Sequence, residues 1–304
     1  MYKMKQAIIL RCRTFGNRER QCYEFLKPYF GNEVFVITNT IENESTKLAD
    51  MQNINWRHKD LTAKGWPKVD LGWRCGDINY YEFIQRNSGY DFVWMCEPDV
   101  SFHQIEASQF FKKYEREKAD FLAVNVEKKE KNWHWYRHSS IISPKVYGCF
   151  FCLTRLSSAA IRFLREQRGR LIKYMSNEKI PANWFPNDEG FVSTLLLNSS
   201  KFSVKSINEE DPELFELFDT HPQSAFFPEK IKLIKQPRVI HRVLNVEEFI
   251  EKQAQIMVPD DFIENRRHIL RAIKNKVKDE AIVKKVTKAS QVRLGILEMK
   301  EKGE

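Results

Sequence analysis

The feature that most constrains this chain is a rhythm. Short, almost continuous apolar runs stop abruptly on polar or charged residues, and amphipathic stretches separate them. The runs are AIILRCRTF (7–15), EVFVITNT (33–40), YDFVWMCEPDV (90–100) and ADFLAVNVE (119–127). Between them, NRERQCYEFLKPYF (17–30), GDINYYEFIQRNSG (76–89) and IEASQFFKKYEREK (105–118) read as helices. Near-continuous apolar runs suit parallel strands covered on both faces. A β-α-β alternation predicts an α/β fold with a doubly wound, mostly parallel sheet flanked by helices, with right-handed crossovers. Residues 41 to 70 read as polar and irregular.

The second half is less regular. KNWHWYRHSS (131–140) reads as an aromatic, basic loop. KVYGCFFCLTR (145–155) is a predicted strand, followed by a helix from LSSAAIRFLREQRGRLIKYM (156–175) that Ser157 or Ser158 can cap. FPNDEGFVSTLLLNSS (185–200) opens a helix with Asp188 and Glu189. FSVKSI (202–207) and RVIHRVL (238–244) are expected late strands, and from about residue 246 the chain reads as helical and basic. The expected division is a catalytic domain over 1–245 and a basic helical extension over 246–304.

At 304 residues and 42% hydrophobic, the chain can build a sizeable core. No apolar run approaches the roughly 20 residues that span a bilayer. The N-terminus has no small-residue cleavage site and reads as a first strand. The six cysteines are scattered, and the CFFC at 149–152 lies inside a strand pattern with no second pair. Buried reduced thiols are the simpler reading, and they place the chain in the cytoplasm. The net charge of +9 is concentrated: between Arg266 and Arg293 there are ten Lys/Arg and two acids. A nearly neutral body with a basic end argues against nucleic acid binding across the whole protein. It suits a tail that meets an anionic surface.

In open parallel sheets, ligands bind beyond the carboxyl ends of the strands. The residues at those ends are Arg11, Arg13 and Thr14, then Asn39, then Glu97 and Asp99. Each is polar directly after an apolar run, and three such ends on successive strands make a site. Glu97-Pro98-Asp99 can offer two hard carboxylate ligands to Mg²⁺ or Mn²⁺, or can simply form a turn. Asp188 and Glu189 complement a helix dipole, and either can also act as a base on a hydroxyl. His241, inside a short apolar run, is a buried core residue or a ligand.

The order of these features resembles the GT-A fold nucleotide-sugar glycosyltransferases, over roughly residues 5 to 245. Glu97-Pro98-Asp99 resembles their DxD motif, with Glu in the first position. Asp188-Glu189 resembles their later acidic motif, and His241 sits where many members place a further metal ligand. The resemblance implies a GT-A-like domain with Mn²⁺ or Mg²⁺ held by Glu97, Asp99 and His241. It implies a nucleotide-sugar donor bound by Arg11, Arg13, Thr14, Asn39, Arg74, Asp77, Glu97 and Asp99. It further implies a catalytic base at Asp188 or Glu189, and a glycan or lipid-linked acceptor as in bacterial surface polysaccharide or lipopolysaccharide synthesis. Trp133, Trp135, Tyr136 and Trp184 are then acceptor-stacking residues; alternatively they form a small satellite core.

Two other readings stand beside it. Pro98-Asp99 with Glu127-Lys128-Lys129 resembles a metal-dependent nuclease pattern, and a non-catalytic sugar-binding protein has the same outline. At the C-terminus, Phe262, Ile269, Ile273, Val277 and Ala281 recur at helical spacing, flanked by Arg266, Arg267, Lys274, Lys278 and Lys285. Such a helix packs on the catalytic domain or lies peripherally on the inner face of an anionic membrane.

Overall fold

Four apolar runs become parallel strands. The computed structural model describes residues 4–40, 50–219, 226, 231–245 and 248. Strand β1 (Gln6–Cys12) pairs in parallel with β2 (Val34–Thr40) on one side and β4 (Phe92–Cys96) on the other, and β2 carries β3 (Gln52–Arg57) in parallel at the edge. Along β1, Ala7 and Ile9 enter one core cluster while Ile8 and Leu10 enter the other. That two-residue alternation explains the uninterrupted apolar run: both faces are covered, so both sets of side chains must be apolar.

Helices fill the two sides. Helix α1 (Asn17–Phe30) and α5 (Ala107–Phe111) cover the face of Ile8 and Leu10 through Leu26, Phe30, Phe110 and Phe111. Helix α4 (Asp77–Arg86), α7 (Ser158–Asn177) and α8 (Asp188–Leu197) cover the other through Ile78, Phe83, Leu164 and Phe191. The remaining helical segments are short: α2 (His58–Ala63), α3 (Leu71–Arg74) and α6 (Tyr136–Ser139). Ser157 caps α7, its side chain accepting from Ala160 N at 3.1 Å.

The full sheet order is β3-β2-β1-β4-β7-β6-β8, with β6 at Phe121–Lys128, β7 at Tyr147–Ser157 and β8 at Val204–Ser206. Only β7 runs against the rest: it is antiparallel to both β4 and β6, while β8 is parallel to β6. The sheet is therefore mostly parallel, as expected. The side on which successive strands are added reverses at β1, with β2 and β3 stepping one way and β4 the other, all four parallel. This is the switch point at which such sheets open a crevice.

Four expectations change. The region 41–70 holds β3 and α2. Its strand QNINWR escapes notice because it lies at the sheet edge, where only Ile54 and Trp56 are buried. The helix expected over 105–118 contracts to α5 and a 3-10 turn at Lys112–Tyr114. The late strand β9 (Arg238–Ile240) joins no part of the main sheet; it pairs antiparallel with β5 (Ser101–His103) in a separate two-stranded sheet. Asp99 and Glu127 are not on neighbouring strands, because β7 stands between β4 and β6. Glu127 pairs instead with Lys129, 2.6 Å away, so the acids of the nuclease pattern do not converge.

The CFFC does lie in a strand. Cys149 enters one core cluster and Cys152 the other, because an offset of three residues puts them on opposite faces of β7. All six thiols are free and buried. No helix among the described residues is long and apolar enough to cross a membrane.

The chain divides into two units, Met1–Phe218 with Gln236–Ile240, and Asp219–Lys235 with His241–Glu304. Within the second, His241 Nδ1 lies 2.7 Å from the Asp219 carbonyl oxygen, Asp219 N donates to His241 O, and Phe226 pairs with Val243. The amphipathic stretch at 262–288, and nearly all of the basic extension, lie outside the described residues.

Candidate active site

The site is built around one guanidinium. Arg11 is the last but one residue of β1, and its side chain is largely buried at the carboxyl end of the sheet. Its Nη1 donates to Glu97 Oε1 at 2.5 Å and lies 3.4 Å from Asp188 Oδ2. Its Nη2 donates to the Gly72 and Trp73 carbonyls at 2.6 and 3.2 Å. One cation thus joins the end of β1, the turn after β4, helix α3 and the first turn of α8. Burial alone would lower the Arg11 pKa. Glu97 and then Asp188 outweigh it, and the guanidinium is held more firmly charged than usual.

Asp188 is placed by its helix. Asn187 caps α8, its Oδ1 accepting from Gly190 N at 3.1 Å. The helix is apolar on every side, so it is drawn into the core and carries Asp188 with it. There Oδ2 accepts from Gly76 N at 2.7 Å and Oδ1 from Glu189 N at 2.9 Å. Gly76 has to be glycine: a Cβ there would fall 2.6 Å from Asp188 Oδ2 and closer still to Arg11. Gly72 likewise leaves the space that the Asn39 side chain fills. Burial pushes the Asp188 carboxyl up to about 7, although Arg11 and the Gly76 N–H pull it down.

Glu189 differs from its neighbour. It is half-buried, and Asn187 Nδ2 donates to its Oε2 at 3.1 Å. Burial first, then the Asp188 carboxylate, push it up to about 8; Asn187 and Lys129 work the other way. Of the two acids, Asp188 has both oxygens engaged by backbone N–H groups and Arg11, whereas Glu189 keeps Oε1 available. The two acids therefore differ in their surroundings: Asp188 is tied to the backbone and to Arg11, and Glu189 to the Asn187 side chain.

The other expected residues divide. Glu97 and Asp99 stand together in the turn after β4, both half-buried. Asn39 is buried at the end of β2, its Nδ2 3.5 Å from His58 Nε2. Arg13 is exposed and 3.5 Å from Asp70; Thr14 is exposed beside it. Arg74 ends α3 and donates to the Asn183 carbonyl at 2.9 Å. His241 is counted with the second unit.

Asp77 is a correction to the donor-binding set. It is fully buried below the site, bound by Arg168 Nε and Nη2 at 2.7 and 3.0 Å and by the Tyr81 hydroxyl at 2.7 Å. It can hold the site's floor but cannot touch a ligand. The four aromatics also separate. Trp135 packs on Trp73 and under Arg74, and Trp184 lies 3.7 Å from the Arg137 guanidinium. Trp133 packs into the space left by Gly148, and the Tyr136 hydroxyl points to the Pro144 carbonyl. Residues missed in the sequence are Gly72, Trp73, Gly76, Asn187 and Arg168. The glycines of LGWRCGD, four apart, were the available signal for a close backbone approach.

No protein-family model matches the chain, and no curated protein matches it. Among solved structures it is similar to core-mannan synthase A from Aspergillus fumigatus in a Mn/GDP form, at 10% identity over 68% of this chain and 73% of that one, with a TM-score of 0.34. It is similar to the galactosyltransferase LgtC in complex with donor and acceptor sugar analogues, at 10% identity over 85% of this chain and 99% of that one, TM-score 0.39. It is similar also to a mannosyltransferase from S. cerevisiae in complex with GDP, at 11% identity over 68% and 69%, TM-score 0.37.

Proposed function

We propose that this chain is a glycosyltransferase that moves a sugar from a nucleotide-sugar donor to a hydroxyl of a glycan or glycolipid acceptor. The observation that carries this reading is the convergence of Arg11, Glu97, Asp188 and Glu189 at the switch point between β1 and β4. A binding protein needs no carboxyl groups lifted toward neutral pH in that place; an enzyme that moves protons does.

Glu97 and Asp99 are hard oxygen donors two residues apart, and their chemistry fits Mg²⁺ or Mn²⁺. Glu97, through the oxygen that Arg11 does not hold, and Asp99 would be its ligands. When bound, the ion would neutralise charge on the leaving diphosphate. Arg11 fixes the position of the Glu97 carboxylate. Asp188 holds the loop at Gly76 against α8 and so fixes the position of Glu189. Glu189 takes the acceptor's proton once it is itself ionised, and burial makes it a stronger base than an exposed carboxylate.

Incubation with a panel of nucleotide sugars and Mn²⁺ should release nucleotide from one of them, slowly without acceptor, and a binding donor at 100 times its Kd should raise stability by about 2.7 kcal/mol. Glu189→Gln should lower kcat by about 10²-fold or more. The wild-type rate should rise with pH as Glu189 ionises near 8. Release by Glu189→Gln at the wild-type rate, or a flat pH profile, contradicts the assignment. Undiminished release in excess chelator removes the metal from the reading.

The basic extension supports a second element of the proposal, an anionic membrane surface that brings the enzyme to a lipid-linked acceptor at the cytoplasmic face. Each Lys or Arg near such a surface contributes about 1 kcal/mol. The full chain should therefore sediment with phosphatidylserine vesicles at low salt and be released at high salt. A chain ending before residue 260 should stay in solution, and equal binding by the two would remove the tail from the reading.

A further inference from the structure

Beside the Arg11 cluster lies a second group of side chains that take no part in the proton transfer. Trp73 is 60% exposed, the highest value among the exposed large apolar side chains of the described residues. Its backbone is pinned, because Arg11 Nη2 holds the carbonyls of both Gly72 and Trp73. The ring is therefore presented on a fixed base at the rim of the site, tilted against Trp135 with centroids 5.6 Å apart. Arg74 lies over the same Trp135 ring at 5.2 Å, and its hydrogen bonds go to carbonyl oxygens of Asn183 and Phe185. Arg137, exposed, lies over Trp184 at 3.7 Å. Neither guanidinium forms an ion pair among the described residues. The His138 ring packs on Trp135 at 5.1 Å, and burial, with the charge of Arg74 next, holds its pKa below the ordinary imidazole range.

Exposed indole rings on a rigid base stack the apolar faces of sugar rings. Unpaired guanidinium groups beside them take carboxylates or phosphates in a fixed geometry. A neutral glycan would use the rings and leave both arginines idle. We propose that the acceptor bound on this platform is an anionic saccharide, its sugar ring on Trp73 and its carboxylate or phosphate on Arg74 and Arg137. This inference rests on the glycosyltransferase reading for the word acceptor only; the binding chemistry stands on the platform itself.

The experiment is calorimetric titration of the full chain with three probes: trigalacturonic acid for the carboxylate, maltose 1-phosphate for the phosphate, and maltotriose as the neutral control. At least one anionic probe should bind about tenfold or more tightly than maltotriose, and which one does so identifies the anionic group. Arg137→Gln should erase most of that preference, and Trp73→Ala should weaken anionic and neutral probes alike. Both positions are exposed, so the variants should keep the wild-type unfolding midpoint. Equal affinity for all three probes, no binding of either anionic probe, or an anionic preference that survives Arg137→Gln overturns the proposal. Nucleotide release from donor sugars is measured on the same samples. An anionic preference without nucleotide release leaves the platform standing and defeats the transferase reading. Nucleotide release without the preference does the reverse.

Discussion

Arg11→Met is expected to cost about 3–5 kcal/mol of stability at pH 8 and much less at pH 5. Methionine keeps the apolar stem but removes the cation shared by Glu97 and Asp188, and it leaves the Gly72 and Trp73 carbonyls without their donor. The pH dependence follows from Asp188. Its folded pKa is already raised to about 7 by burial, with Arg11 pulling it down. A group whose folded pKa lies above its unfolded value stabilises the fold at low pH and loses that contribution as pH rises through the folded value. Without Arg11 the pKa moves further up, so the variant should lose stability more steeply than wild type between about pH 5 and 8. Urea midpoints at both pH values, with the slope m unchanged, measure this. An equal penalty at pH 5 and pH 8 would show that Arg11 matters for packing alone.

The second large effect is expected below the site. Arg168 and Asp77 are both completely buried, joined by two hydrogen bonds of 2.7 and 3.0 Å. Arg168 also donates to the Pro186 carbonyl at 2.9 Å and lies 3.6 Å from the Phe191 ring centroid. This pair ties together the two walls of the site. Asp77 follows Gly76, whose N–H holds Asp188, and Pro186 precedes Asn187, which caps α8. Arg168→Met leaves a buried carboxylate with only the Tyr81 hydroxyl, and should cost about 3–5 kcal/mol. Asp77→Leu should cost a similar amount. The double variant should cost less than the sum, since an apolar pair of similar volume replaces a buried ion pair at little penalty. Additive losses would mean that the two residues act independently. On the proposed role of Glu189, kcat should fall at temperatures where the Arg168→Met protein is still folded, because the wall that carries Glu189 has lost its tie.

Both effects depend on contacts that join distant parts of the chain, and this is where the sequence and the tertiary structure part. By itself the sequence determined the strands β1, β2, β4 and β6, because side chains buried on both faces must be apolar and so leave uninterrupted runs. It also placed Arg11, Asn39 and Glu97 at strand ends, where a buried run stops. It put Asp188 and Glu189 at a helix start, and it read CFFC as a strand. All of these are records of local burial, written at a period of two or at a cap.

Only the tertiary structure decided the rest. The strand β3 was hidden because an edge strand buries few of its residues. The reversed direction of β7 was hidden because an apolar run has no polarity of its own. Asp77 read as a ligand-binding acid until Arg168, 91 residues away, took both of its oxygens. The different surroundings of Asp188 and Glu189 came from Arg11, 177 residues before Asp188, and from a glycine N–H. The physical reason is the same in each case. Burial leaves its mark on the residues that are buried, but a hydrogen bond or ion pair across the fold leaves on each partner only the presence of a charge, and the sequence does not say which charge it meets.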